Sequence, residues 1–141
     1  LDESIPSLRD VQAATSLWER NGIQSRLVIN IKPPRVSGLA ESIEIARYCR
    51  AHGVKTWIGG MLDSAWGKAM NLNFNGLPEI DLPGDHFSPT GPYFEQDVVT
   101  TPLQALGGTF TLTDAVSTGV TFDWDAFHRL ATETFALDLS K

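Results

Sequence analysis

Arg26-Leu27-Val28-Ile29-Asn30-Ile31-Lys32-Pro33-Pro34 is the stretch that decides how this chain is read. Between Leu27 and Ile31 only Asn30 interrupts an aliphatic run, as in a parallel strand covered on both faces. Two prolines, which carry no N–H for a ladder, end it. A second run of this kind, Val54 to Gly60, carries Lys55-Thr56-Trp57-Ile58 and closes on Gly59-Gly60-Met61. Between the two strands, Gly38 to His52 has helical spacing, with Leu39, Ile43, Ala46 and Cys49 on an inner stripe and Gly53 as its stop.

Outward from this core the alternation continues. Ser7 to Asn21 reads as a helix, with Leu8, Val11, Ala14, Thr15, Leu17 and Trp18 at near-helical spacing. Ser7 and Asp10 form a capping box, and Gly22 stops the helix. Ser64 to Asn73 is a third helix, and Glu79-Ile80-Asp81-Leu82 a short strand ended by Pro83-Gly84-Asp85. Leu1, apolar and followed by Asp2-Glu3, reads as the tip of another strand, so the chain reads as beginning inside an element, as a fragment or a split half would. Strands and helices alternating at this spacing mean βα units and a parallel sheet, an α/β fold. Four such strands make about half of a βα barrel, which needs about 250 residues when complete. Half a barrel leaves open edges that invite pairing. Either a further segment completes it or two copies associate.

The pattern changes after His86. Turn residues and short β-like pieces such as Thr109-Phe110-Thr111-Leu112 lead to Asp123, which caps a last helix from Trp124 to Ala136 with Phe127 and Leu130 facing inward. The expected division is residues 1–92 as the half-barrel and 93–141 as a tail.

Composition excludes several classes. The chain has 141 residues, 42% hydrophobic and 20% charged, which is ordinary for a globular protein. A net charge of −6 argues against a nucleic-acid or anionic-membrane surface. No apolar run in these residues reaches bilayer length, and none resembles a secretory signal. The single Cys49 cannot form an internal disulfide, which fits a reducing cytoplasm.

In a barrel of this kind, chemistry gathers at the C-terminal ends of the strands. Those ends are Asp2-Glu3, then Asn30 and Lys32, then Gly59-Gly60-Met61 with Asp63, then Asp85. Lys32 stands at a strand tip, where partial desolvation would lower its pKa and let it act as base, acid or cation. The alternative is a lysine snorkelling at a strand end. Asp2 suits a hard divalent cation such as magnesium, although a lone acid is more often a cap or a surface charge. Gly59-Gly60-Met61 permits close approach of a ligand carboxylate or acyl group, or simply makes a tight strand-to-helix turn. Trp57 and Trp66 line a pocket or pack the sheet against a helix. His52 ends a helix, where a cation is favourable, and His86 and His128 have no partner at metal-ligand spacing. Zinc, nucleotide-loop and nucleophile-elbow motifs are missing.

These strand ends resemble the muconate lactonizing subgroup of the enolase superfamily, and within it the o-succinylbenzoate synthase and N-acylamino acid racemase family. The matching pieces are Leu1-Asp2-Glu3-Ser4, Asn30-Ile31-Lys32-Pro33 with Arg35-Val36 and Gly38, Trp57-Ile58-Gly59-Gly60-Met61, and Leu82-Pro83-Gly84-Asp85. His52-Gly53 and the helix that carries Cys49 match as well. The resemblance implies the C-terminal half of an enolase-type (β/α)7β barrel. It implies that Asp2 is the third of three carboxylates that hold Mg²⁺, and that Lys32 is the second of two lysines flanking a small carboxylate substrate. Asn30, Gly59, Gly60 and Met61 then contact substrate, and Glu3, Asp63 and Asp85 support them. In the synthase, a lysine of the other half removes the α-proton and hydroxide leaves through an enediolate. In the racemases both lysines exchange protons. A mandelate-racemase-like member would carry a histidine on the strand of Trp57-Ile58, and a dipeptide epimerase an Asp-x-Asp pair at the last strand.

The chain departs from the pattern in three places. Extra residues lie around Trp18 to Gln24. Ser37 stands where the family has the first glycine of a pair, and Asp63 replaces a glutamate. The other metal ligands, the first lysine and the capping domain are not among these residues, and Tyr93 to Lys141 resembles the segment that packs on that domain. The expectation is therefore part of a magnesium-dependent lyase of menaquinone biosynthesis, inactive by itself. The alternatives are an N-acylamino acid racemase or a non-catalytic half-barrel. Its partner is the N-terminal half or capping domain of the same enzyme, or a second copy. No nucleic-acid or membrane partner is expected.

Overall fold

The computed structural model describes residues 1–91, 93–112, 114 and 117–133. Its elements are α1 (Leu8–Arg20), β1 (Val28–Ile31), α2 (Leu39–Ala51), β2 (Lys55–Ile58), α3 (Ala65–Asn75) and α4 (Trp124–Leu130), with one 3-10 turn at Gln24–Arg26. The two strands pair in parallel, Val28 opposite Lys55 and Ile31 opposite Ile58.

Successive strand residues point to opposite faces. Ile29, Ile31 and Ile58 turn toward the helices and join Val11, Ile45 and Cys49 in the main core. Each fully buried aliphatic side chain stabilises the fold by about 1.5–3 kcal/mol. Val28 and Trp57 line an open cavity of about 350 Å³ on the other face with Leu82, Pro83, Gly84 and Asp85. An α/β unit with helices on one face of a short parallel sheet matches half of a βα barrel.

The helices form where expected, with stripes that differ in detail. On α1 the buried residues are Val11 and Thr15, while Leu17 is exposed. On α2 they are Ser42, Ile45, Ala46 and Cys49; Ala46 and Cys49 of the expected stripe are buried, Ile43 is partly buried against the core, and Leu39 is exposed. At the entry into α2, Ser37 and Gly38 both have positive φ, 69° and 104°, and the Ser42 hydroxyl donates to the Gly38 carbonyl at 2.8 Å. The Ser7 hydroxyl caps α1 by accepting from the Asp10 N–H and donates to the Asp10 carboxylate.

Two expected strands are not full strands. Leu1 flanks the edge of β1 away from β2, accepting from the Asn30 N–H at 2.9 Å. The segment Glu79-Ile80-Asp81-Leu82 runs beside β2 without a ladder: the N–H groups of Asp81 and Leu82 both go to the Thr56 carbonyl, at 3.2 and 3.1 Å. The Thr56 N–H is taken by the Asp81 side chain at 3.1 Å instead of by a carbonyl. Pro78 and Pro83 bound the segment and deny it N–H groups at both ends.

The expected β-like pieces of the tail are single bridges, Val99 with Phe122 and Leu106 with Thr109. Gly107 and Gly108, with φ of 58° and 78°, make the tight turn of the latter. Asp97 fastens this region to α3, its carboxylate accepting from the Ala65 N–H at 2.9 Å where the helix dipole favours an anion. The last helix stops at Leu130, which is exposed, and buries Ala126; Ala131 is already extended, so the expected helix to Ala136 ends early, and positions 134–136 lie outside the described residues. Trp66 packs edge-on against Phe122 at 5.3 Å, so its role is packing. No helix among the described residues is long and apolar enough to cross a membrane.

Candidate active site

Asp2, Asn30 and Lys32 meet where Leu1 flanks β1. One carboxylate oxygen of Asp2, Oδ2, accepts from Lys32 Nζ at 2.9 Å and from Asn30 Nδ2 at 3.0 Å. Lys32 Nζ also reaches Glu3 Oε1 at 3.2 Å, and Arg35 Nη2 reaches the same oxygen at 3.1 Å. The Lys32 side chain is only 12% exposed. Burial alone would lower its pKa, but the hydrogen bond to Asp2 outweighs burial and Glu3 adds to it, so the pKa lies above its ordinary value. The expectation of a lysine with a lowered pKa is thereby corrected. Lys32 is held here as an ammonium.

Asn30 is buried by the turn that ends β2. A side chain on Gly59 would place its Cβ 2.3 Å from Asn30 Oδ1, so only glycine fits beside this amide. Gly59 N–H bonds to the Ile31 carbonyl at 3.0 Å and extends the strand pairing by one residue. Next along the turn, a Cβ on Gly60 would lie 3.2 Å from Asp63 Oδ2. That oxygen accepts from the Met61 N–H at 2.8 Å and from Asn71 Nδ2 at 3.2 Å, so Asp63 fixes the turn's shape.

Glu3, Lys32, Gly60, Met61 and Asp85 line one open cavity of about 280 Å³, together with Phe87, Tyr93 and Lys68. Asp2 and Asn30 join this group through Lys32, and Gly59 and Asp63 through the turn. A larger hollow of about 420 Å³ between Thr101 and Thr121 has no charged residue in its lining, and the chemistry is elsewhere.

Two side chains at this place escaped sequence reasoning. Lys68, on α3, is 1% exposed, and its Nζ sits 4.0 Å above the Phe87 ring. It is the only charged residue in AWGKAMNLNFN, the signal that could have marked it. Burial lowers its pKa, and the charges of Asp63 and Asp85 act in the opposite direction. His86 has both ring nitrogens buried without a partner, and burial, together with the Lys68 charge, lowers its pKa.

Asp2 Oδ1 is buried and has no hydrogen-bond partner. An orphaned carboxylate oxygen is costly, and a hard cation is the partner its chemistry suits. Among the described residues no group of three or more His, Cys, Asp or Glu is assembled that could hold a metal ion. Asp2 thus fits one coordination position, and the rest of a ligand set would lie outside these residues.

Residues 3–126 match the family described as enolase C-terminal domain-like. An o-succinylbenzoate synthase of Enterococcus faecalis is 40% identical over 121 residues, covering 86% of this chain and 31% of that protein. An N-succinylamino acid racemase of an Amycolatopsis species is 38% identical over 108 residues, covering 77% and 27%. Among solved structures, a member of the enolase superfamily from Enterococcus faecalis V583 superposes with a TM-score of 0.79 at 36% identity, covering 92% of this chain and 33% of that one. The chain spans about a third of the length of the curated synthases it matches. The resemblance read from the strand ends is borne out by these likenesses, and the chain belongs to the enolase C-terminal domain-like family.

Proposed function

We propose that this chain supplies one wall of the active site of a magnesium-dependent o-succinylbenzoate synthase, a lyase of menaquinone biosynthesis working in the cytoplasm. The observation that carries the reading is the Asp2–Lys32 pair, with one Asp2 oxygen held by Lys32 and Asn30 and the other free. Asp2 would hold the magnesium ion through that free oxygen. When bound, the ion is a Lewis acid that draws charge onto the substrate carboxylate.

A base outside these residues takes the α-proton, and the electron pair left behind expels hydroxide from the neighbouring carbon. Lys32, kept charged by Asp2 and Glu3, stabilises the anion that develops between these events. The Gly59-Gly60 turn lets backbone approach the substrate, and Asp63 holds that turn. Residues 1–92 form the catalytic portion, and 93–141 pack on the capping domain. Without that base, the chain by itself turns nothing over.

N-acylamino acid racemization is the second reading, favoured by the racemase relatives. It requires Lys32 to give up and regain a proton, which the Asp2 pair opposes. A chimera tests both readings. The matching third of the Enterococcus faecalis synthase is replaced by this chain, and dehydration and racemization are assayed with and without magnesium. The expected result is magnesium-dependent dehydration, absent from the chain alone. A folded, metal-binding chimera without dehydration would refute the synthase reading; racemization alone would favour the second, and neither activity the non-catalytic half-barrel.

A further inference from the structure

Met61 follows the Gly59-Gly60 turn with 44% of its surface open. Asp63 fixes its backbone by accepting from the Met61 N–H at 2.8 Å. The side chain lies against Arg35, whose Nη2 is 3.7 Å from the sulfur. A thioether is a weak acceptor, and Nη2 has a better one in Glu3 Oε1 at 3.1 Å. On the same edge of the guanidinium as Nη2, Arg35 Nε is buried and has no acceptor among the described residues. A buried donor left unpaired is costly. An accessible sulfur thus stands beside an unpaired N–H, with no oxygen between them.

Two-electron oxidation supplies that oxygen. Hydrogen peroxide transfers one oxygen atom to the sulfur: the O–O bond breaks, an S–O bond forms, the thioether becomes a sulfoxide, and the peroxide is reduced to water. The product is a polar acceptor on a flexible, unbranched stem. The chain has one other methionine, Met70, half-buried on α3, which serves as an internal comparison.

We propose that Met61 is an oxidation site for peroxides, and that its sulfoxide oxygen accepts from Arg35 Nε, pinning the turn after β2 to the turn after β1. Met61 also lines the cavity that holds Glu3, Lys32 and Gly60, so its oxidation makes one wall of that cavity more polar. The assignment rests on the open sulfur and the unpaired donor, and is independent of the reaction proposed above.

The test adds dilute hydrogen peroxide to the 141-residue chain. Peptide mass spectrometry follows each methionine, and NMR follows the Arg35 Nε–H. Met61 should be converted several-fold faster than Met70. As it is converted, the Arg35 Nε–H resonance should move and its exchange with water should slow about five-fold, the factor given by one hydrogen bond of ordinary net strength. Met70→Leu leaves Met61 as the sole methionine and should keep the full response at Arg35. Met61→Leu removes the sulfur and should abolish it. Met70 oxidised first or equally fast, an Arg35 signal unmoved in the Met61 sulfoxide, a response lost in folded Met70→Leu, or one retained in Met61→Leu would each overturn the assignment. Should either variant fail to fold, the native chain and the other variant decide.

Discussion

Gly59 lacks a side chain because Asn30 fills the space where one would lie, its Oδ1 only 2.3 Å from the position of a Cβ. The two residues stand on neighbouring strand ends, and their fit aims the Asn30 amide at Asp2, 3.0 Å away. A glycine just past one strand thereby orients a carboxylate beside another.

Gly59→Ala should therefore do more than stiffen a turn. Overpacking against a buried amide costs about 1–3 kcal/mol, read as a lower urea midpoint. In the chimera, turnover should fall as well, because Asn30 must move away from Asp2. Adding Asn30→Ala should recover stability but not turnover.

Ser37 adopts φ of 69°, a region that L-residues occupy at a cost of about 1–2 kcal/mol. Ser37→Gly should stabilise the chain by about 1 kcal/mol, measured by urea unfolding with an unchanged slope. A lower midpoint would mean that the serine hydroxyl contributes more than its backbone costs.

Lys32→Ala in the chimera should lower kcat by about 10²–10³-fold, the usual loss for one group stabilising a developing anion, and leave the circular dichroism spectrum unchanged. The pair also predicts a pH signature. Because the folded-state pKa of Lys32 is raised above 10.5, its stabilisation is fully present below 10.5 and fades as pH climbs through the higher folded value. The stability gap between the native chain and Lys32→Met should therefore close only at strongly alkaline pH.

His86 behaves in the opposite sense at the acid end. Its folded pKa is lowered from 6.5, so below 6.5 the unfolded chain takes up a proton that the folded chain refuses. Stability should fall as pH drops from 6.5 to the folded value, and His86→Gln should remove that component of the profile.

Much of this was legible in the sequence because it lay at strand tips. The aliphatic run ending in Lys32-Pro33-Pro34 and the second ending in Gly59-Gly60 locate the mouth of the sheet without any contact being known. The protonation of Lys32 was not legible, since it depends on Asp2 arriving from a segment distant in sequence and outweighing desolvation. Glu79 to Leu82 misled because an alternating apolar pattern says nothing about where its N–H groups go, and here two converge on one carbonyl. Lys68 was hidden by its helix, where a lysine ordinarily faces water; its isolation among uncharged neighbours was the available clue.

The residue-for-residue pairing of β1 with β2 also sets what lengths of chain can change. Because Ile31 faces Ile58 and the pleat alternates, one residue inserted into either four-residue strand would swing every later side chain to the other face. Placed in β1 ahead of Asn30, it would send Asn30 into the aliphatic core and put an isoleucine beside Asp2, losing fold and site together. Changes of chain length are therefore tolerated best between elements, as in the turn from Asn21 to Leu27 that joins α1 to β1.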